Sequence, residues 1–132
     1  MKKVTYADWV SSFVERMADY LNLSGWEIVI EHVSGDKGNC AAEILIDCVY
    51  MQAHITTYRL SEEFFKEGNT GKLVRILTHE LAHILLDPFT DHAEPFLSDM
   101  TRPVFNDMLE TQTQKLTAVL LKNLPKSIIP PR

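Results

Sequence analysis

Apolar side chains recur along the first segment at the 3.6-residue spacing of a helix, with Tyr6, Trp9, Val10, Phe13, Met17 and Leu21 on one face. Thr5, followed three residues later by Asp8, resembles a capping arrangement at its start, and Gly25 follows its end. The period then changes. Trp26-Glu27-Ile28-Val29-Ile30-Glu31 alternates as a half-buried strand does. Residues 41–47 form a second strand candidate, and residues 52–58, β-branched and free of proline, a third. Ser34-Gly35-Asp36-Lys37-Gly38-Asn39 reads as a loop, and two strands joined by a short glycine loop are expected to pair antiparallel.

Helical periodicity returns afterwards. Ser61-Glu62-Glu63 predicts the start of a short helix, with a hydroxyl cap and acids in the first turn, and Gly68 ends it. Asn69 or Thr70 caps a longer helix through Leu73, Ile76, Leu77, Leu81, Ile84 and Leu85, which Asp87-Pro88 is expected to stop. A last helix begins near Pro103, a residue suited to a first helical position, and runs to about Asn123. The order of helix, three strands, short helix and two long helices predicts an α+β domain with a mainly antiparallel three-stranded sheet. Residues 1–124 read as one domain and residues 125–132 as a Pro-rich tail, whose three prolines exclude helix.

Composition narrows the function classes. The 132 residues suit one domain. With a formal net charge of -5 and no basic patch, a nucleic-acid partner is not expected. No run approaches the roughly 18 apolar residues of a membrane span, so no membrane partner is expected either. Lys2 and Lys3 imitate the start of a signal peptide, but Asp8, Glu15 and Arg16 interrupt any apolar core behind them. The Met start without a tag fits a complete cytoplasmic protein, for which a monomer is the favoured state. Cys40 and Cys48 are expected to be free thiols, and no Cys-x-x-Cys pair suggests a thiolate metal site.

One segment carries specific chemistry. Thr78-His79-Glu80-Leu81-Ala82-His83-Ile84 contains His-Glu-x-x-His inside an apolar helix. Residues four apart lie one turn apart on the same face, so the imidazoles of His79 and His83 can reach one ion at about 2.0–2.1 Å. Glu80, one position on, projects beside the metal, where it can take a proton from water. The plainer alternative buries three polar groups in a leucine-rich helix, which is costly without partners.

A catalytic zinc normally has three protein ligands. A metzincin solution is excluded, because Leu86 stands where it needs Gly and Phe89 where it needs His. The remaining common solution is a carboxylate from downstream, and Asp87, Asp91, Glu94, Asp99, Asp107 and Glu110 are the candidates. In the last helix Val104, Phe105, Met108, Leu109, Leu116, Val119 and Leu120 form the main apolar stripe. Glu110 is the only charge on a flank made of Pro103, Asn106, Thr113, Thr117 and Leu121, as a ligand held among uncharged neighbours requires. Glu110 is therefore favoured, with Asp107 next; the plainer reading of Glu110 is a half-exposed surface acid.

The segment from Thr78 to Leu86 resembles the active-site helix of minimal gluzincins, small zincin metallopeptidases related in outline to ImmA/IrrE-type peptidases and found in bacteria, archaea, phages and prophages. Trp26-Glu27-Ile28-Val29-Ile30 is similar to their first strand, and Tyr50-Met51-Gln52-Ala53-His54-Ile55 to the segment entering their substrate-side strand. Glu110 with Leu116 six residues later resembles their glutamate-bearing helix, although Leu109 stands where the family often has a second glutamate. The resemblance implies a zincin-like half-domain, a zinc cofactor and hydrolysis of a peptide or protein substrate. On that expectation His79, His83 and Glu110 bind the metal and Glu80 is the general base. Gln52, Ala53, His54, Ile55 and Thr56 would form an exposed strand edge along which substrate lies. Tyr50, Tyr58, His54 and His92 are candidates to steady the oxyanion. Two competing readings use the same residues: a non-catalytic metal-binding phage or prophage regulator, and a latent peptidase whose tail fills the cleft.

Overall fold

The computed structural model describes residues 3–132; Met1 and Lys2, half of the basic start, lie outside the described residues. The elements are α1 (Tyr6–Tyr20), β1 (Glu27–His32), β2 (Ala42–Asp47), β3 (Gln52–Thr57), α2 (Arg59–Lys66), α3 (Thr70–Ala93) and α4 (Arg102–Lys122). Single 3-10 turns at Glu94–Phe96 and Lys126–Ile128 follow the last two helices. The α+β class and the element order are as expected. No helix among the described residues is long and apolar enough to cross a membrane.

The caps follow local chemistry. The Thr5 hydroxyl accepts from the Asp8 N–H at 3.1 Å, and the Asn69 side chain accepts from the Lys72 N–H at 3.4 Å. Gly68, at φ +78, closes α2 in the left-handed region that favours glycine. Ser61 is not the cap expected of it. The helix begins earlier, at Arg59, and the buried Ser61 hydroxyl donates to the Ala41 carbonyl at 2.7 Å, tying α2 to the start of β2. Nor does α3 stop at Asp87-Pro88. It runs on to Ala93, because Pro88 removes only one donor, the one facing the Ile84 carbonyl, and the exposed ring leaves the next turns intact.

The sheet departs from expectation in its pairing. The strand order is β1-β3-β2, with β1 parallel and β2 antiparallel to β3, so the sheet is mixed. The glycine loop does not close a hairpin between β1 and β2. The tighter turn over residues 48–51 does so between β2 and β3, held by the Asp47 carboxylate, which accepts from the N–H groups of Val49 and Tyr50. Strand β1 then pairs with the other side of β3. The free edge beside α3 is therefore β2.

Ala53, Ile55 and Thr57 of β3 point into the core, where Trp9, Phe13 and Met17 of α1 meet Leu73, Leu77, Leu81 and Ile84 of α3. Trp9 and Phe13 stack with ring centroids 5.6 Å apart. Helix α4 packs on the outer side of α3. The face it uses is only half of the expected stripe: Phe105, Leu109, Leu116 and Leu120 are half-buried, Val104, Met108 and Val119 are exposed, and Thr113 and Thr117 are its buried residues. The face turned to α3 thus lies between that stripe and the flank that carries Glu110.

The tail is packed. Leu124 and Ile128 lie against the core, and the Trp9 indole N–H donates to the Pro130 carbonyl at 3.0 Å. The Arg132 guanidinium sits over the Phe65 ring at 5.1 Å and donates to the Lys66 carbonyl. These contacts place residues 125–132 on α1 and α2.

Candidate metal centre

His79 and His83 lie one turn apart in the middle of α3, which is pinned in the core by Leu77, Leu81 and Ile84 on its other faces. Their Nε2 atoms are 3.2 Å apart and their rings nearly perpendicular, at 86°. Two nitrogens each about 2.0–2.1 Å from a tetrahedral ion would stand roughly 3.3–3.4 Å apart, so the spacing suits a shared ion. From α4, Glu110 completes the group. Its Oε1 is 2.8 Å from His79 Nε2 and its Oε2 is 3.3 Å from His83 Nε2. All three donor sets fall within 4.8 Å of one another, so His79, His83 and Glu110 could hold a metal ion. Asp107, exposed about a turn earlier, is not part of the group.

Glu110 is half exposed (48%), unlike the enclosed ligand anticipated for it, and the histidines are less so (21% each). The small buried Thr113 and Thr117 let α4 approach α3, and their hydroxyls donate back to the Leu109 and Thr113 carbonyls, so neither is left without a partner. Burial, and then the neighbouring His79, pushes the His83 imidazole below its ordinary value, favouring the neutral ring that a metal requires.

Glu80 is buried on the cleft side of α3, with no hydrogen bond or ion pair to another described residue. Burial, then the charges of Glu110 and Glu43, raises its carboxyl to about 8. Glu43 itself is occupied: Lys37 Nζ donates to it at 2.5 Å and the Tyr58 hydroxyl donates to its other oxygen, which together hold it below the usual carboxylate range.

Two hollows meet at this centre. One, of about 420 Å³, lies between β2 and α3–α4 and is lined by Ile44, His79, Glu80, His83 and Glu110 among others. The second, of about 640 Å³, shares Ala42, His79 and Glu80 with it and extends towards the start of α3.

The remaining sequence-based assignments are not brought together here. Gln52, Ala53, His54, Ile55 and Thr56 lie in the central strand, whose backbone is paired on both sides, so they offer no edge. Ala53 and Ile55 are core residues, and His54 pairs with Glu31 of β1 on the open face of the sheet at 3.0 Å. Tyr50 and His92 are exposed outside both hollows, and the Tyr58 hydroxyl is engaged by Glu43. What the sequence reading missed is β2 as the edge and the side chains of the larger hollow. A signal for the latter was present, since Lys72, Arg75, His79 and His83 follow helical spacing along one face.

Compared with protein-family models, curated proteins and solved structures, the chain finds no match.

Proposed function

We propose that this chain is a zinc-dependent metallopeptidase of zincin type, with His79, His83 and Glu110 as ligands and Glu80 as general base. The observation that carries the reading is that a carboxylate distant in sequence reaches both imidazoles of a His-Glu-x-x-His helix while Glu80 stays unpartnered in the adjoining cleft. Two imidazoles and one carboxylate are the donor set of several catalytic zinc sites. An ion bound there would act as a Lewis acid on the scissile carbonyl and lower the pKa of the attacking water.

The protein's own part is positional. In its ionised form, which a cation held by the neighbouring histidines would favour over the burial that raises it, Glu80 takes a proton from the attacking water and returns it to the departing amine. The outer edge of β2 offers unpaired backbone groups to an extended peptide, which would add to the sheet as a fourth strand beside the metal ligands. This transfers the substrate role from residues 52–56 to β2.

The test is Glu80→Gln. Purified wild type is expected to take up one zinc per chain and to cleave members of a broad peptide library. The variant should keep the metal and lose turnover by about 10²- to 10⁴-fold. A wild type that binds zinc but cleaves nothing would instead favour a metal-binding regulator.

A further inference from the structure

The larger hollow has a chemistry of its own. Its walls include Leu60 and Phe64 of α2 and Ile76 of α3, an apolar lining open at one end to His79 and Glu80. Two cations, Lys72 and Arg75, stand on the same wall, and neither has a carboxylate within ion-pair distance among the described residues. The Lys72 ammonium lies over the Phe64 ring, 5.1 Å from its centroid, which keeps it at the cavity wall.

This arrangement is unfavourable for α3 taken alone. A helix start carries partial positive charge and is best served by acids, as Asp8 serves α1 and Glu62 serves α2. In α3 the first turn has no acid, and Lys72 lies just inside it with Arg75 one turn on. In a chain of net charge -5, two exposed, unpaired cations beside an apolar pocket, the first of them in the opening turn of α3, are complementary to an anion with an apolar stem.

We propose that this hollow receives a carboxylate-bearing residue on the C-terminal side of the scissile bond, so that Lys72 and Arg75 select for acidic substrates there. The inference rests on the peptidase reading of the same centre. Charge decides which end of the cleft takes the acidic residue. The opposite end of the cleft, beyond His83, is lined by Asp47, Asp87, Asp91 and Glu94, and there α3 approaches its negative end. An acidic side chain of the peptide therefore lies at Lys72 and not towards Asp87. Strand β2 runs from Ala42, in the cationic hollow, to Asp47, at the acidic end. A segment bound antiparallel to β2, the pairing that is the more stable per residue, has its carboxyl-side half at Lys72. Charge thus places the acidic residue, and strand geometry places it after the scissile bond.

The experiment compares matched peptides. One carries Glu at the two positions after the scissile bond and a C-terminal amide, the second Gln at those positions, and the third Gln with a free carboxylate two residues after the bond. Zinc-loaded wild type is expected to show kcat/KM for the Glu peptide about fivefold or more above the Gln amide, and Lys72→Glu/Arg75→Glu should reverse that ratio. A preference for the third peptide over the Glu amide would identify the chain terminus, rather than a side chain, as the carboxylate recognised. Binding is read separately, by fluorescence anisotropy with zinc-loaded Glu80→Gln protein. The Glu peptide should bind more tightly than the Gln amide, and adding Lys72→Ala and Arg75→Ala should remove the difference. If Glu80→Gln protein binds all three peptides equally, the inference fails, whether or not wild type cleaves them. If binding discriminates while nothing is cleaved, the anion site stands and the peptidase reading falls.

Discussion

Glu80 and Cys48 are both acids that the fold holds towards the protonated form, and in each the first cause is removal from water. They part at the second. For Glu80 it is the charge of Glu110, then that of Glu43; for Cys48 it is a hydrogen bond to Asp87, then the charges of Asp87, Asp91 and Asp47. The Cys48 thiol is pushed up to about 12 from an ordinary 9.0. With the folded value raised, the contribution of this thiol to stability is intact below pH 9 and is lost as pH climbs towards 12, since only the unfolded chain ionises in between. At pH 8 native Cys48 should react with iodoacetamide about a hundredfold or more slowly than an unstructured cysteine, because the thiolate is the nucleophile. Mass spectrometry of quenched time courses measures this, and Asp87→Asn should restore part of the rate. Equal rates in native and urea-unfolded protein would remove the Cys48–Asp87 contact from the description of this turn. Residue-level chemistry was legible in the sequence where spacing alone fixes geometry, as for His79, Glu80 and His83. It was not legible for Cys48, whose environment depends on the β2–β3 turn meeting α3.

At the scale of elements, the periodicities located each helix and strand, but pairing and rotation are tertiary choices. Strands β1, β2 and β3 read alike, and only the competition between two turns put β3 in the centre and left β2 at the edge. In α4 apolar residues lie on two flanks, so its amphipathicity did not say which would face α3. Packing chose the flank of Thr113 and Thr117, because small residues allow the close approach that brings Glu110 to the imidazoles. The expected stripe was kept in part: Phe105, Leu109, Leu116 and Leu120 stay half-buried beside the threonines, while Val104, Met108 and Val119 turn to solvent so that Glu110 can reach the site. This packing makes a prediction. Thr113→Leu inserts bulk at a position with no exposure, and should cost about 1–3 kcal/mol of stability from overpacking. Because it displaces the helix bearing Glu110, it should also weaken zinc affinity by about 10- to 100-fold, as loss of a supporting contact does at other metal sites. Thr113→Val, nearly the same shape, should leave affinity within a few fold. Competition titration against a chromophoric chelator reads both variants, and unchanged affinity in Thr113→Leu would show that Glu110 reaches the histidines without help from this contact.

For the molecule as a whole, the tail decides between two uses of the last eight residues. A segment that filled the cleft would have to reach Glu80 and β2, whereas the contacts of residues 125–132 are with Trp9, Arg16, Phe65 and Lys66 on the α1–α2 side. Its three prolines limit how many shapes the unfolded tail samples, which lowers the entropic cost of docking it. Docking covers the indole of Trp9, which is fully buried and whose N–H would otherwise lose its acceptor, Pro130. Ending the chain after Leu124 removes the Ile128 packing, that hydrogen bond and the Arg132–Phe65 contact together. The shortened protein should therefore lose roughly 2–4 kcal/mol of unfolding free energy, measured by urea denaturation, and its tryptophan emission should shift to the red as water reaches Trp9. Peptide cleavage per folded molecule should stay at the full-length level, since the metal ligands and β2 are untouched. An increase in cleavage on truncation, with stability unchanged, would assign the tail to the cleft and restore the latent-peptidase reading. A loss of stability without activation would make residues 125–132 a structural strap that closes the core beneath α1.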